Sequence, residues 1–155
     1  MVEIDSFLVP QRILLDWHCS NKRQLFQELA AVAGTATRTD PATIVAALNQ
    51  REKLGTTGIG EGIAIPHARL KGLPELMGFF VRLDEAVAYD ALDDQPVDLV
   101  FLLLAPDEAS GAQLKALARI ARLLRDPHVC AQLRSETDAR QVYELLSGRK
   151  PVEGA

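Results

Sequence analysis

Residues 97–104 read VDLVFLLL, eight positions of which one is polar. A strand with one wet face alternates polar and apolar side chains. This run does not, so it reads as a strand covered on both faces of a sheet and stopped by Pro106. Such a strand needs helices above and below it, and helical patterns occur on both sides of it in the chain. They predict a single three-layer α/β/α domain with a mixed central sheet flanked by helices.

The other elements follow from periodicity and punctuation. ILLDW at Ile13–Trp17 reads as a strand. Ser20 is the expected cap of a helix with Leu25, Phe26, Leu29 and Val32 on one face and Gly34 as its stop. Asp40–Pro41 opens a second helix with Ile44, Val45 and Leu48 inward, ending near residues 51–53. LMGFFVRL at 76–83 is a further strand. Ser110–Arg125 is the clearest helix, with an expected buried stripe of Leu114, Leu117, Ala118, Ala121 and Leu124. Lys115, Arg119 and Arg122 read as its solvated face. Asp126–Pro127 starts a short helix through Leu133. Thr137 is the expected cap of a last helix to Leu146, ended by Gly148. The domain is expected over 1–148, with 149–155 a loose tail.

Seventeen basic and twenty-one acidic side chains give a net charge of −4, with a pI near 5.4. That balance argues against nucleic-acid binding by bulk electrostatics. No apolar run approaches a membrane span, and the N-terminus MVEIDSFLVPQR lacks the pattern of a secretory signal. The expected location is the cytoplasm. His18, Cys19, His128 and Cys130 form two pairs of metal-ligand types, but neither cysteine sits in a CxxC pair. They read as ordinary residues, and no metal or cofactor is expected.

The chemistry concentrates in GTTGIGEGIAIPHARL, Gly55–Leu70. Four glycines lead through an apolar stretch to Pro66 and His67. A neutral imidazole is an available nucleophile at neutral pH. Gly55 and Gly60 have the spacing of a P-loop, but Glu61 and Gly62 stand where its lysine and hydroxyl would be. The dinucleotide fingerprint fails on spacing and on context, since the run follows a helix. A glycine-rich loop beside one proline-positioned histidine suggests a histidine that accepts a phosphoryl group. Asp93–Asp94 reads as solvated turn acids.

The segment REKLGTTGIGEGIAIPHARL, Arg51–Leu70, resembles the active-site segment of phosphotransferase-system IIA domains of the fructose/mannitol type, and within them the nitrogen-regulatory branch. The resemblance extends from ILLDW to VYELL. It implies a phosphorelay in which a histidine-phosphorylated phosphocarrier protein is the donor, His67 the acceptor and Arg51 the assisting cation. Such transfer depends on positioning and on charge stabilisation, and a guanidinium offers a planar fork of donors. Backbone N–H groups of Gly55, Thr56, Thr57, Gly58 and Gly60 are further candidates for the phosphoryl oxygens. Arg69 is basic and close to His67 in sequence, and a surface role is expected at least as much as a part in the site.

The chain departs from the family pattern where many members carry a second histidine. Gln113 stands there, in GAQLKAL, and glutamine cannot gain a proton near pH 7. His18 and His128 do not match that position. The resemblance implies regulated target proteins, potassium-transport or sensor-kinase proteins among them, with no membrane insertion. The rival readings are a sugar-specific IIA component serving a separate IIB protein and a non-catalytic binding module.

Overall fold

The computed structural model describes residues 3–108 and 111–148; Ser110 and the tail 149–155 lie outside them. Strands are β1 Ile13–Trp17, β2 Gly58–Gly60, β3 Ile63–Ala64, β4 His67–Leu70, β5 Met77–Val87 and β6 Val97–Pro106. Helices are α1 Lys22–Thr37, α2 Pro41–Glu52, α3 Ala112–Leu124, α4 Pro127–Ser135 and α5 Ala139–Ser147.

β6 is the spine. β5 runs antiparallel along one side of it, and β1 extends the sheet parallel to β5. On the other side β3 and then β4 lie parallel to successive stretches of β6, and β2 pairs antiparallel with β3. Val100, Leu102 and Leu104 pack with Leu25, Phe26, Leu29, Ile44 and Leu48 of α1 and α2. Leu99, Phe101 and Leu103 pack with Ala116, Ile120, Leu133, Val142 and Leu146 of α3, α4 and α5. All six β6 side chains are fully buried, which is why the run needs no polar alternation. The mixed sheet and its two helical layers are as the sequence implies.

Four local expectations are corrected. α1 is capped by Asn21, not Ser20: the Asn21 side chain accepts from the Gln24 N–H at 2.8 Å, while the Ser20 N–H donates to Gln24 Oε1. α1 also runs past Gly34 to Thr37, where Arg38, with φ 58°, ends it. Gly34 serves a close approach instead, because a Cβ there would lie 2.7 Å from the Thr39 carbonyl oxygen as the chain folds back into α2. Asp138, not Thr137, caps α5 by accepting from the Arg140 N–H. Both caps lie one residue later than the sequence suggests.

The fourth correction bears on the site. The buried positions of α3 are Gln113, Ala116, Ile120 and Leu124: Leu124 is as expected, and the other three lie one position, about 100°, before Leu114, Leu117 and Ala121. Leu117 and Ala121 are half-buried, Ala118 is exposed, and Leu114 is 72% exposed. Arg119 is half-buried with its Nε shielded from solvent, so only Lys115 and Arg122 of the three cations form a solvated face. A polar Gln113 turned inward misled the reading, because periodicity alone favours leucine for that face.

Leu102→Ala removes a fully buried side chain from the α1/α2 side of β6 and should cost about 2–5 kcal/mol. Urea unfolding measures it, and a loss under about 1 kcal/mol would contradict the assignment of β6 as the doubly packed spine.

Candidate active site

α2 ends on Arg51 and Glu52, and their side chains have different partners. Glu52 takes Lys22 Nζ on Oε2 at 2.8 Å and the Thr57 N–H on Oε1 at 3.1 Å. The Thr57 hydroxyl bonds the same carboxylate, and the Tyr89 hydroxyl donates to it at 3.3 Å. The Lys22 ammonium also lies 4.2 Å from the Tyr89 ring centroid. Burial pushes the Tyr89 hydroxyl far up, so it stays protonated and able to donate. These charge-assisted bonds tie the end of α2 to the loop that follows.

Arg51 points to the histidine. Its Nε donates to His67 Nε2 at 2.9 Å, and its Nη1 donates to the Gly55 carbonyl at 2.8 Å. Because a guanidinium keeps its protons, His67 Nε2 must be the acceptor. The ring proton therefore sits on Nδ1, which donates to the Ile65 carbonyl at 2.8 Å. That carbonyl is in place because β3 and β4 are broken at Ile65–Pro66. Proline brings no N–H to the ladder, and the β6 pairing resumes from the Pro66 carbonyl, which accepts from the Leu103 N–H at 3.0 Å. His67, expected beside the glycine-rich loop, is the first residue of β4.

Burial holds the His67 imidazole below its ordinary value, the Ile65 carbonyl opposes this, Arg51 adds to it, and Glu52 weakly opposes it. The net direction is downward. The ring is neutral at pH 7, with its Nε2 lone pair directed at a cation.

His67 opens onto a cleft of about 650 Å³ that Arg51, Arg69, Gln113, Leu54 and Leu114 help to line. Arg69 is two residues along β4 from His67, and its Nε donates to Gln113 Oε1 at 2.8 Å. So Arg69 is an exposed residue of the cleft, and Gln113 reaches the cleft but bonds Arg69. Leu54 and Leu114 are 84% and 72% exposed, an apolar rim beside the cations.

The glycine-rich loop does other work. Thr57 is buried on Glu52, and the Thr56 hydroxyl accepts from the Gly58 N–H at 3.0 Å. A Cβ on Gly58 would lie 2.7 Å from that of Ala91, so this glycine lets two chain segments touch. Gly60 packs beside Asp93, whose carboxylate accepts from the Glu61 and Gln95 N–H groups. Thr56, Thr57, Gly58 and Gly60 are not among the residues that line the cleft, and Gly55 stays beside it through Arg51. Asp93 is a turn-bonding side chain, more than a solvated acid. His18 pairs with Asp84 and His128 lies in the first turn of α4. Cys19 and Cys130 lie in the cores on opposite faces of the sheet, so the four metal-ligand types do not converge.

Two features escaped the sequence. Glu52 drew no attention because its partners Lys22 and Tyr89 are distant in sequence. Arg69 had a readable signal, since residues two apart on a strand share a face.

Comparison with known proteins identifies the family. Residues 6–148 match the family described as phosphoenolpyruvate-dependent sugar phosphotransferase system, EIIA 2, and the chain belongs to that family. A nitrogen regulatory protein of Bradyrhizobium diazoefficiens is 47% identical over 144 residues, covering 93% of this chain and 94% of that one. The crystal structure of nitrogen regulatory protein IIA-Ntr from Neisseria meningitidis superposes with a TM-score of 0.88 at 35% identity, covering 92% of this chain and 98% of that one. The mannitol IIA enzyme of Escherichia coli, solved in complex with its phosphorylated IIB enzyme, gives 0.75 at 25% identity, covering 90% and 96%. The chain is thus a phosphotransferase-system component of the IIA class.

The directions above predict that the His67 ring, followed by NMR, titrates below its ordinary value of about 6.5. Arg51→Ala should move the midpoint up, since it removes one lowering charge and a cover over the ring. A wild-type midpoint at or above about 6.5, or a downward move in the variant, would contradict the site's electrostatics.

Proposed function

We propose that this chain is a regulatory phosphorelay protein that takes a phosphoryl group on Nε2 of His67 from a histidine-phosphorylated phosphocarrier protein. The observation that carries the reading is the run of bonds Arg51 Nε to His67 Nε2 and His67 Nδ1 to the Ile65 carbonyl. It holds one tautomer with its lone pair toward the cleft. In the transfer the donor's N–P bond breaks and its electron pair returns to the donor imidazole, which carries a proton on its other nitrogen and so leaves neutral, while the positive ring charge passes to His67. The Nε2 lone pair forms the new P–N bond while the proton on Nδ1 stays against Ile65. Arg51 must release Nε2 as phosphorus arrives, and its fork then meets the phosphoryl oxygens, where charge is greatest in the transition state.

Leu54 and Leu114 fit a protein donor better than a small one, because an exposed apolar rim around a reactive centre gains by being covered. Once phosphorylated, the cleft carries roughly one to two added negative charges beside Arg51 and Arg69. Partners that select between the two charge states would read the relay. Resemblance to nitrogen regulatory proteins points to regulated targets, with potassium-transport and sensor-kinase proteins the first to test. Among the described residues no helix is long and apolar enough to cross a membrane, and we place the relay in the cytoplasm.

Phosphoenolpyruvate, enzyme I and the phosphocarrier protein should label the chain with an acid-labile, base-stable phosphate. His67→Ala should abolish the label, whereas His18→Ala and His128→Ala should not; full labelling of His67→Ala would end the proposal. Sugar-dependent loss of label through an added IIB protein would favour the transport reading. Arg51→Ala should slow labelling by about 10²–10³ with the fold intact, and an unchanged rate would remove Arg51 from the mechanism.

The apolar rim makes a separate prediction. Leu114→Asp should raise KM for the phosphocarrier about tenfold, yet leave labelling by the small donor phosphoramidate unchanged. Equal losses with both donors would show that Leu114 shapes the site and does not dock the partner.

A further inference from the structure

The phosphorelay reading uses one cation, but the cleft holds two. Arg51 reaches His67 from the end of α2. Arg69 comes from β4 itself, and strand alternation puts it on the same face as His67, roughly 7 Å further along. The intervening Ala68 packs into the α1/α2 core at the floor of the cleft, and Leu70 lies in the same core.

A long exposed arginine ordinarily samples many rotamers, and that freedom opposes its use as a fixed charge. Here it is restrained. Gln113 lies in the first turn of α3 and is only 8% exposed, and its Oε1 accepts the Arg69 Nε proton at 2.8 Å. The Nε bond leaves both terminal nitrogens of the guanidinium with protons to donate. Gln113 occupies an inward position of α3 that an apolar residue would fill by pattern alone. A buried carboxamide there is explained if its oxygen holds a side chain the site needs.

We propose that Arg69 is a second phosphoryl-binding residue of the site, and that Gln113 acts through it as a positioning residue. The proposal rests on phosphorylation of His67. Arg51 and Arg69 then bracket the phosphoryl group as two permanent charges. A second histidine in this region would supply a charge that comes and goes near pH 7, whereas a guanidinium tethered by a carboxamide does not titrate there. The site therefore binds the phosphoryl group with the same positive charge across the neutral range.

The test compares wild type with Arg69→Ala, Arg69→Lys, Gln113→Ala and the double alanine variant. Arg69 is exposed, so its replacement should leave the unfolding midpoint near wild type. Labelling is measured with the phosphorylated phosphocarrier and, separately, with phosphoramidate. Arg69→Ala should slow both on the order of tenfold to a hundredfold, with Arg69→Lys recovering part. In the phosphorylated protein, the pH midpoint of the phosphoryl 31P signal should rise in Arg69→Ala, because a cation that favours the dianion is gone. Gln113→Ala should have a smaller effect of the same kind and add nothing on top of Arg69→Ala.

A slow rate with the protein donor alone would make Arg69 a docking residue and overturn the proposal. So would an unmoved 31P midpoint, and an additive double variant would overturn the role of Gln113. Wild-type protein that takes label normally while Arg69→Ala matches it sinks this proposal only. Wild-type protein that takes no label from either donor sinks the phosphorelay reading with it.

Discussion

A guanidinium cannot give up a proton at any pH the protein meets, so where Arg51 Nε touches His67 Nε2 the imidazole has no choice of tautomer. The proton goes to Nδ1 and the Ile65 carbonyl receives it. The lone pair is left covered by Arg51, the group that meets the phosphoryl oxygens in the proposed transfer. Neutrality of the ring needs no separate device. The burial that brings His67 against Arg51 also disfavours a second positive charge there.

Holding Arg51 in that position costs freedom at the end of a helix, where side chains ordinarily fray. The Glu52 cluster offsets that cost. Lys22, Thr57 and Tyr89 converge on one carboxylate and tie α1, α2 and the following loop together. Removing one partner of such a cluster leaves a poorly compensated charge, so its members stand or fall together. On the other side of the ring, Pro66 interrupts the strand beside β6 and so spares the Ile65 carbonyl for His67. The doubly buried β6 gives both halves of the interrupted strand a common support.

The architecture was legible because VDLVFLLL cannot sit at a wet surface, and because Asp40–Pro41 and Asp126–Pro127 mark helix starts chemically. That His67 and Arg51 belong together was legible through a long and specific motif, not through periodicity. The stripe of α3 was misread because burial of Gln113 depends on Arg69, forty-four residues away in the chain. The partners of the glycine-rich loop were hidden for a related reason. Gly58 and Thr57 answer to Ala91, Tyr89 and Glu52, contacts that no local pattern announces. What stayed hidden in both places is tertiary pairing of polar groups, while burial of apolar runs and local capping showed plainly.

The central claim is that the phosphoryl group resides on Nε2 of His67. Uniformly 15N-labelled protein, phosphorylated through the relay and kept at alkaline pH, reports this through the coupling between 31P and the ring nitrogens. The account predicts a P–N bond to Nε2, with Nδ1 the nitrogen turned to Ile65. A phosphoryl group on Nδ1 would mean that the Ile65 bond is broken and that Arg51 does not face the nucleophile, and would contradict the account.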